Sequence, residues 1–270
     1  MTGTSAADAA FLVPSTVEAA VEALGDAGPG AVALAGGTSI GLLIGQGLLA
    51  PSALVWLGRI PELSVLQEED ERMSIGATVT LAALAADPRV RSAAPALADA
   101  AASVGNTRVR AVATIGGALA HADPAQDLPP MLLALDAQIQ IAGPGGERTI
   151  PLDGFFTGFM ETGLQPGELI VQVELPPPAG RATYLKFTPR SQDDYATVGV
   201  ACRIDGARAV VGLAGVAWTP LRLTLPVDPE AAGSLAAAAT DPADDLRGSA
   251  AYKRAMTAVW VRRSMAGLLA

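Results

Sequence analysis

The stretch Val104–Pro130 reads VGNTRVRAVATIGGALAHADPAQDLPP. It opens on a polar turn, Gly105-Asn106-Thr107, and continues as a short alternating segment with Val109, Val112 and Ile115 apolar. Thr114 then precedes the pair Gly116-Gly117, with His121, Asp123, Pro124 and Asp127 close behind, and a helix-like apolar run, Leu128–Leu135, ends it. Adjacent glycines remove side chains where the backbone comes close to something else. Free backbone N–H groups in such a turn can bind an anion. A second stretch has the same character: Leu34-Ala35-Gly36-Gly37-Thr38-Ser39-Ile40. One such turn alone is more often a tight connection with no ligand. Two of them, each beside hydroxyls, suggest a two-sided clamp on a diphosphate.

Composition bounds the rest. The chain has 270 residues, half of them hydrophobic and 17% charged, which suits one large domain or two modest ones with a sizeable core. Aromatics are only 4%, so Ala, Val, Leu and Ile must build that core. The net charge of −9 argues against a nucleic-acid partner, which would need clustered Lys and Arg. Cys202 is the single cysteine and His121 the single histidine. An internal disulfide, a chain-borne iron–sulfur cluster and a zinc site are therefore not expected. No basic stretch precedes an apolar run at the N-terminus, and no uninterrupted apolar stretch is long enough to span a membrane. The expected location is cytoplasmic.

The matching residues AGGTS at Ala35–Ser39, TIGG at Thr114–Gly117 and AHADPAQDLPP at Ala120–Pro130 resemble the FAD-binding subunit or domain of the xanthine dehydrogenase and carbon monoxide dehydrogenase family, the molybdenum hydroxylases. The resemblance covers nearly the whole chain. It implies FAD as cofactor, held by Leu34, Ala35, Gly36, Gly37, Thr38, Ser39 and Ile40 on one side and by Thr114, Ile115, Gly116, Gly117, Ala118 and His121 on the other. Asp127 is expected on a ribityl or ribose hydroxyl, or as the N-cap of the following helix. His121 is expected to be a structural hydrogen-bonder, not a catalyst. A second run, LKFTPRSQDDYA, matches the family's Lys, Arg, acid and aromatic order. By resemblance Lys186 points at the pyrimidine edge of the flavin, Tyr195 lies against its ring system, and Arg190 and Asp193 form a supporting ion pair. Val104 and Ile170 correspond to apolar positions lining the flavin pocket. The segment Asp244–Arg263 resembles the family's terminal helix region and is assigned to packing. The sequence departs from the family at Ala118, where Asn is frequent, and in Gly41–Gly47, which has no basic residue; both bear on FAD affinity.

Taken in order, Ser15 is expected to cap a helix running to Leu24, Ala31–Ala35 to be a buried strand, and Leu42–Leu49 a short helix broken by Gly45 and Gly47. A hairpin is expected around Glu68–Glu71, helices over Leu81–Ala86 and Pro95–Ala102, and strands over Gln138–Ala142, Glu147–Pro151 and Leu169–Leu175. Pro176–Gly180 reads as a linker. The resulting expectation is an α+β fold. Residues 1–178 form a PCMH-type FAD-binding domain of two α/β subdomains, about 1–57 and 58–178. Residues 180–270 form a three-stranded antiparallel sheet with C-terminal helices. The implied partners are a molybdopterin-binding large subunit and a [2Fe–2S] small subunit, assembled as a dimer of heterotrimers, with this chain passing electrons through FAD to an acceptor. The competing readings are a stand-alone flavin oxidase and a cofactor-free assembly subunit. The absence of an evident substrate-cap region weighs against the oxidase.

Overall fold

The computed structural model describes residues 9–270. The frayed start expected over residues 1–9 lies almost wholly outside them. Three main sheets with covering helices make an α+β fold.

The first sheet holds Ala10–Leu12 (β1), Ala31–Leu34 (β2) and Ala53–Trp56 (β3), all parallel, in the order β1-β3-β2. Parallel neighbours need crossovers, and the helices Val17–Asp26 (α1) and Thr38–Gly45 (α2) lie on those connections. Thr16, not Ser15, caps α1: its hydroxyl accepts from the Ala19 N–H at 3.1 Å. That register turns Val17, Ala20 and Leu24 inward. β2 is half-buried at every position and not fully buried, because it is an edge strand. α2 starts directly on the glycine pair, four residues before the expected helix, and no residue in it is buried.

The second sheet has five antiparallel strands, Leu66–Glu69 (β4), Arg72–Gly76 (β5), Gln138–Gly143 (β6), Gly146–Pro151 (β7) and Leu169–Leu175 (β10), ordered β4-β5-β10-β6-β7. Between β5 and β6 run the helices Leu81–Ala86 (α3), Pro88–Ala93 (α4), Pro95–Ala102 (α5), Thr107–Arg110 (α6), Ile115–His121 (α7) and Leu128–Ala134 (α8). Ile75, Leu97, Ile115, Leu132, Ile139 and Val173 meet in the core they enclose. The alternation around Val109 does not make a strand. Asn106 accepts from the N–H groups of Arg108 and Val109 and starts the helical turn α6 instead. Of the loop or short helix expected at Leu152–Thr157, residues 152–155 are loop, and the last two residues enter a small hairpin, Phe156–Gly158 (β8) and Glu161–Thr162 (β9).

The C-terminal sheet has four strands, not three: Arg181–Phe187 (β11), Val198–Asp205 (β12), Arg208–Ala214 (β13) and Leu221–Pro226 (β14), in sequential antiparallel order. The overlooked strand, LRLTLP, carries a period-two alternation of leucines. Pro220 and Pro226 bracket it and obscure that signal, but proline is tolerated at the ends of an edge strand. Helices Pro229–Ala238 (α9) and Ala250–Leu269 (α10) pack against each other, and α10 lies on this sheet. α8 lies on the sheet's other side, where Gly212 leaves room for the Pro130 backbone. Arg203 and Arg222 both donate to Asp136 just beyond α8, and Arg203 Nε donates to the Ala134 carbonyl at 2.8 Å. Among the described residues, no helix is long and apolar enough to cross a membrane and no His/Cys/Asp/Glu group could hold a metal.

Candidate functional site

Gly37 adopts the left-handed conformation, φ 71°, and hands the chain into α2. The first helical bond is Gly41 N–H to the Gly37 carbonyl, 2.8 Å. Among the described residues, the N–H groups of Gly37, Thr38, Ser39 and Ile40 have no acceptor and neither hydroxyl of Thr38 or Ser39 has a hydrogen-bond partner. Unpaired N–H groups at a helix start carry partial positive charge. No charged residue occurs from Ala27 to Leu57, so no neighbouring carboxylate in that segment opposes an anion there. Leu34 and Ala35 lead into this turn, both half-buried.

The second glycine turn is built differently. Thr114 caps α7 and its hydroxyl accepts from the Gly117 N–H at 3.1 Å. The Ile115 and Gly116 N–H groups donate to the carbonyls of Val79 and Ala77 at 3.1 and 2.9 Å, and the Ala118 N–H donates to Thr114. The expected free donors of this turn are therefore already used within the chain. Its glycines serve shape. A Cβ on Gly116 would meet the Ala77 Cβ at 2.5 Å, whereas Gly117 is exposed and faces only the Thr114 hydroxyl. Gly36 joins the two turns. Its Cα packs on the Val112–Ala113 peptide, where a side chain would overlap the Val112 carbonyl and come within 3.1 Å of the Ala113 Cα. The first turn leaves N–H donors unpaired and the second, whose donors are used, packs against it through Gly36.

Asp127 does not cap α8 with its side chain. Pro129 and Pro130 occupy the first turn of that helix and have no N–H to offer a capping carboxylate. The carboxylate turns instead to β11, accepting from the Tyr184 hydroxyl at 2.6 Å and from Lys186 Nζ at 3.0 Å. Tyr184 and Lys186 are two residues apart on one strand and so share a face. Lys186 also donates to the Ser103 carbonyl at 3.0 Å. An ammonium has three donors; the third has no acceptor among the described residues. The ion pair is buried, 8% exposed at Lys186 and 4% at Asp127. Burial pushes the Asp127 carboxyl up, against the lowering pull of the Lys186 charge and its two hydrogen bonds. Burial also holds the Tyr184 phenol well above its usual value, and the Asp127 charge adds to this, so the hydroxyl stays a donor.

The remaining expected residues fall into place unevenly. Tyr195 is 42% exposed beside a cleft, with the Arg247 guanidinium 5.5 Å above its ring. Arg190 and Asp193 form no ion pair; both lie on an exposed turn, where such a pair contributes little. Val104 is half-buried, and its carbonyl accepts from Arg110 at 2.9 Å. Ile115 and Ile170 are packed in the central core, which leaves mainly their backbone to offer a ligand. His121 ends α7, half-buried, and burial pushes its imidazole below its usual range. It is therefore neutral near pH 7. Sequence reasoning did not single out Ser103, Tyr184 or Arg247. Only Tyr184 carried a signal, its spacing from Lys186.

The family model described as the FAD binding domain in molybdopterin dehydrogenase matches residues 6–178. The chain belongs to this family. The carbon monoxide dehydrogenase medium chain of Hydrogenophaga pseudoflava is 35% identical over 272 residues, covering 94% of this chain and 95% of that one. A 6-hydroxypseudooxynicotine dehydrogenase complex subunit alpha from Paenarthrobacter nicotinovorans is 34% identical, covering 96% and 94%. The fold matches the carbon monoxide dehydrogenase structure from Hydrogenophaga pseudoflava with a TM-score of 0.90 at 34% identity, covering 97% of each chain. Quinoline 2-oxidoreductase from Pseudomonas putida 86 matches at 0.89 and 29%, covering 96% of each. The chain is thus an FAD-binding oxidoreductase subunit of the molybdenum hydroxylase type.

Proposed function

We propose that this chain binds FAD with the diphosphate on the Gly36–Ile40 turn and the ring system near Val104, Lys186 and Tyr195. It then conducts electrons from [2Fe–2S] clusters on a small partner subunit to an external acceptor. A molybdopterin-bearing large subunit would oxidise the organic substrate, and the assembly would be a cytoplasmic dimer of heterotrimers. Residues 1–178 would act as the FAD-binding domain and residues 180–270 as the domain closing over it. The observation that carries the reading is the set of unpaired N–H groups from Gly37 to Ile40, pressed against the Thr114 turn through Gly36. Bound FAD supplies a carrier that takes up two electrons and can release them singly. The protein's part is to bind, orient and tune it. The α2 turn neutralises diphosphate charge locally, which an acidic chain with net charge −9 cannot do globally. The third Lys186 donor would be free to meet an acceptor on the flavin's pyrimidine edge. The names of the relatives, a medium chain and a complex subunit, support a multi-subunit setting.

The first test is titration of the purified full chain with FAD, followed by flavin fluorescence. Binding should be retained but weakened about tenfold in a Thr38→Val, Ser39→Ala double variant. Two hydroxyl contacts are lost there, worth about 1.4 kcal/mol together, while the backbone donors stay. A chain that takes up no FAD favours the assembly-subunit reading. Flavin reduction by an organic substrate with the isolated chain favours the stand-alone oxidase.

A further inference from the structure

We infer that Tyr184, Asp127 and Lys186 form a charge-balancing chain that sets the reduction potential of the bound flavin, with Tyr184 as the positioning residue that holds the Asp127 counter-charge. The inference rests on the proposed FAD site and adds to it a role for the carboxylate and phenol behind the lysine.

The geometry requires a division of labour. Tyr184 donates to one oxygen of Asp127 and Lys186 to the other, at 2.6 and 3.0 Å. The carboxylate is thus held between two donors, and the lysine between the carboxylate and the Ser103 carbonyl. Gly199, opposite Lys186 in the strand register, leaves room for this: a Cβ there would lie 2.7 Å from the Tyr184 hydroxyl. A buried lysine alone would present a full positive charge to whatever meets its third donor. Paired with Asp127, it presents a donor whose charge is largely compensated. Negative charge grows on the flavin's pyrimidine edge when the group is reduced, so any change in that compensation appears in the potential. The Tyr184 hydroxyl dipole in turn weakens the carboxylate's negative field, and without it the site becomes more negative.

Three variants of the full chain loaded with FAD separate the roles, read by redox titration, with FAD occupancy and near-ultraviolet spectra as controls. Lys186→Ala should favour oxidised over reduced flavin about tenfold, a fall of about 30 mV. Asp127→Asn should shift the ratio by a similar factor in the opposite direction, raising the potential, because the lysine charge is no longer balanced. Tyr184→Phe should lower the potential by a smaller, few-fold factor, with occupancy unchanged. A chain that binds no FAD, or an Lys186→Ala potential equal to wild type, overturns the placement of the flavin against Lys186. A fall in Lys186→Ala with no change in Tyr184→Phe and Asp127→Asn overturns the charge-balancing role alone and leaves the site standing. If Asp127→Asn does not fold, Tyr184→Phe, which keeps both charges, decides the matter.

Discussion

Gly36→Ala should purify without FAD and with a Tm lowered by roughly 6–12 °C. The added Cβ falls on the Val112 carbonyl and lies 3.1 Å from the Ala113 Cα. Both neighbours are backbone, fixed in place by the Ala113 carbonyl accepting from Leu81 and by Thr114 capping α7, so neither can rotate away. The two turns must move apart, at a cost of about 3 kcal/mol, and a domain of this size loses about 2–4 °C per kcal/mol. The anion site is lost with the contact, because its wall has moved. Gly37→Ala is the informative control. Its φ of 71° costs an L-residue about 1 kcal/mol, but a Cβ there meets only Leu34 Cδ1 at 3.4 Å. It should keep FAD with a small loss of stability. Thermal melts and flavin absorbance of the two variants, side by side, test this. Equal FAD occupancy in both would mean that contact between the turns is unnecessary for the site.

Gly212→Ala should be similarly damaging, although the residue is remote from both glycine turns. It lies in β13, and a Cβ there would be 2.6 Å from the Pro130 carbonyl carbon and 2.9 Å from its Cα. α8 would have to lift from the C-terminal sheet. Asp127 immediately precedes that helix, and its bonds to Tyr184 and Lys186 on β11 span the same gap. The substitution should cost about 3 kcal/mol and reduce FAD retention as the buried ion pair opens. Gly199→Ala offers the contrast. Its Cβ would meet the Tyr184 hydroxyl at 2.7 Å, a side-chain end and not backbone, and the Ala214 Cβ at 3.1 Å. It should perturb the flavin potential more than the melting temperature. Calorimetry and redox titration of the two glycine variants together check the pair of expectations. Equal stability of Gly212→Ala and wild type would show that α8 can be displaced without cost.

The two glycine turns were legible because glycine pairs beside hydroxyls are rare enough to stand out, and the match at HADPAQDL extended one of them. Which turn keeps free N–H donors and which has used them was not legible. Both read as loops rich in N–H groups, and only the carbonyls of Ala77 and Val79, more than 30 residues upstream of the Thr114 turn, reveal that its donors are occupied. Asp127 shows the same limit. Its position before an apolar helix suggested a cap, and the two prolines that make capping pointless were in plain view. Its true partners lie 57 and 59 residues away on β11.

By itself the sequence determined the element types with strong local signals. Helices Leu81–Ala86 and Pro95–Ala102 and strand Leu169–Leu175 have the bounds expected of them, because their periodicity and punctuation are local properties. It also determined the family, through short motifs whose residue types suit close backbone approach. Tertiary structure alone decided the pairing of charges and the assignment of backbone donors. It set Lys186 on Asp127 and Ser103, left Arg190 without Asp193, and brought Gly36 against Val112. The first and last of these depend on which distant segment lies across a gap of about 3 Å; Arg190 and Asp193, three residues apart on an exposed turn, are simply solvated. Hydrogen-bond partners and steric clearance act over that distance in space and carry no record of separation along the chain.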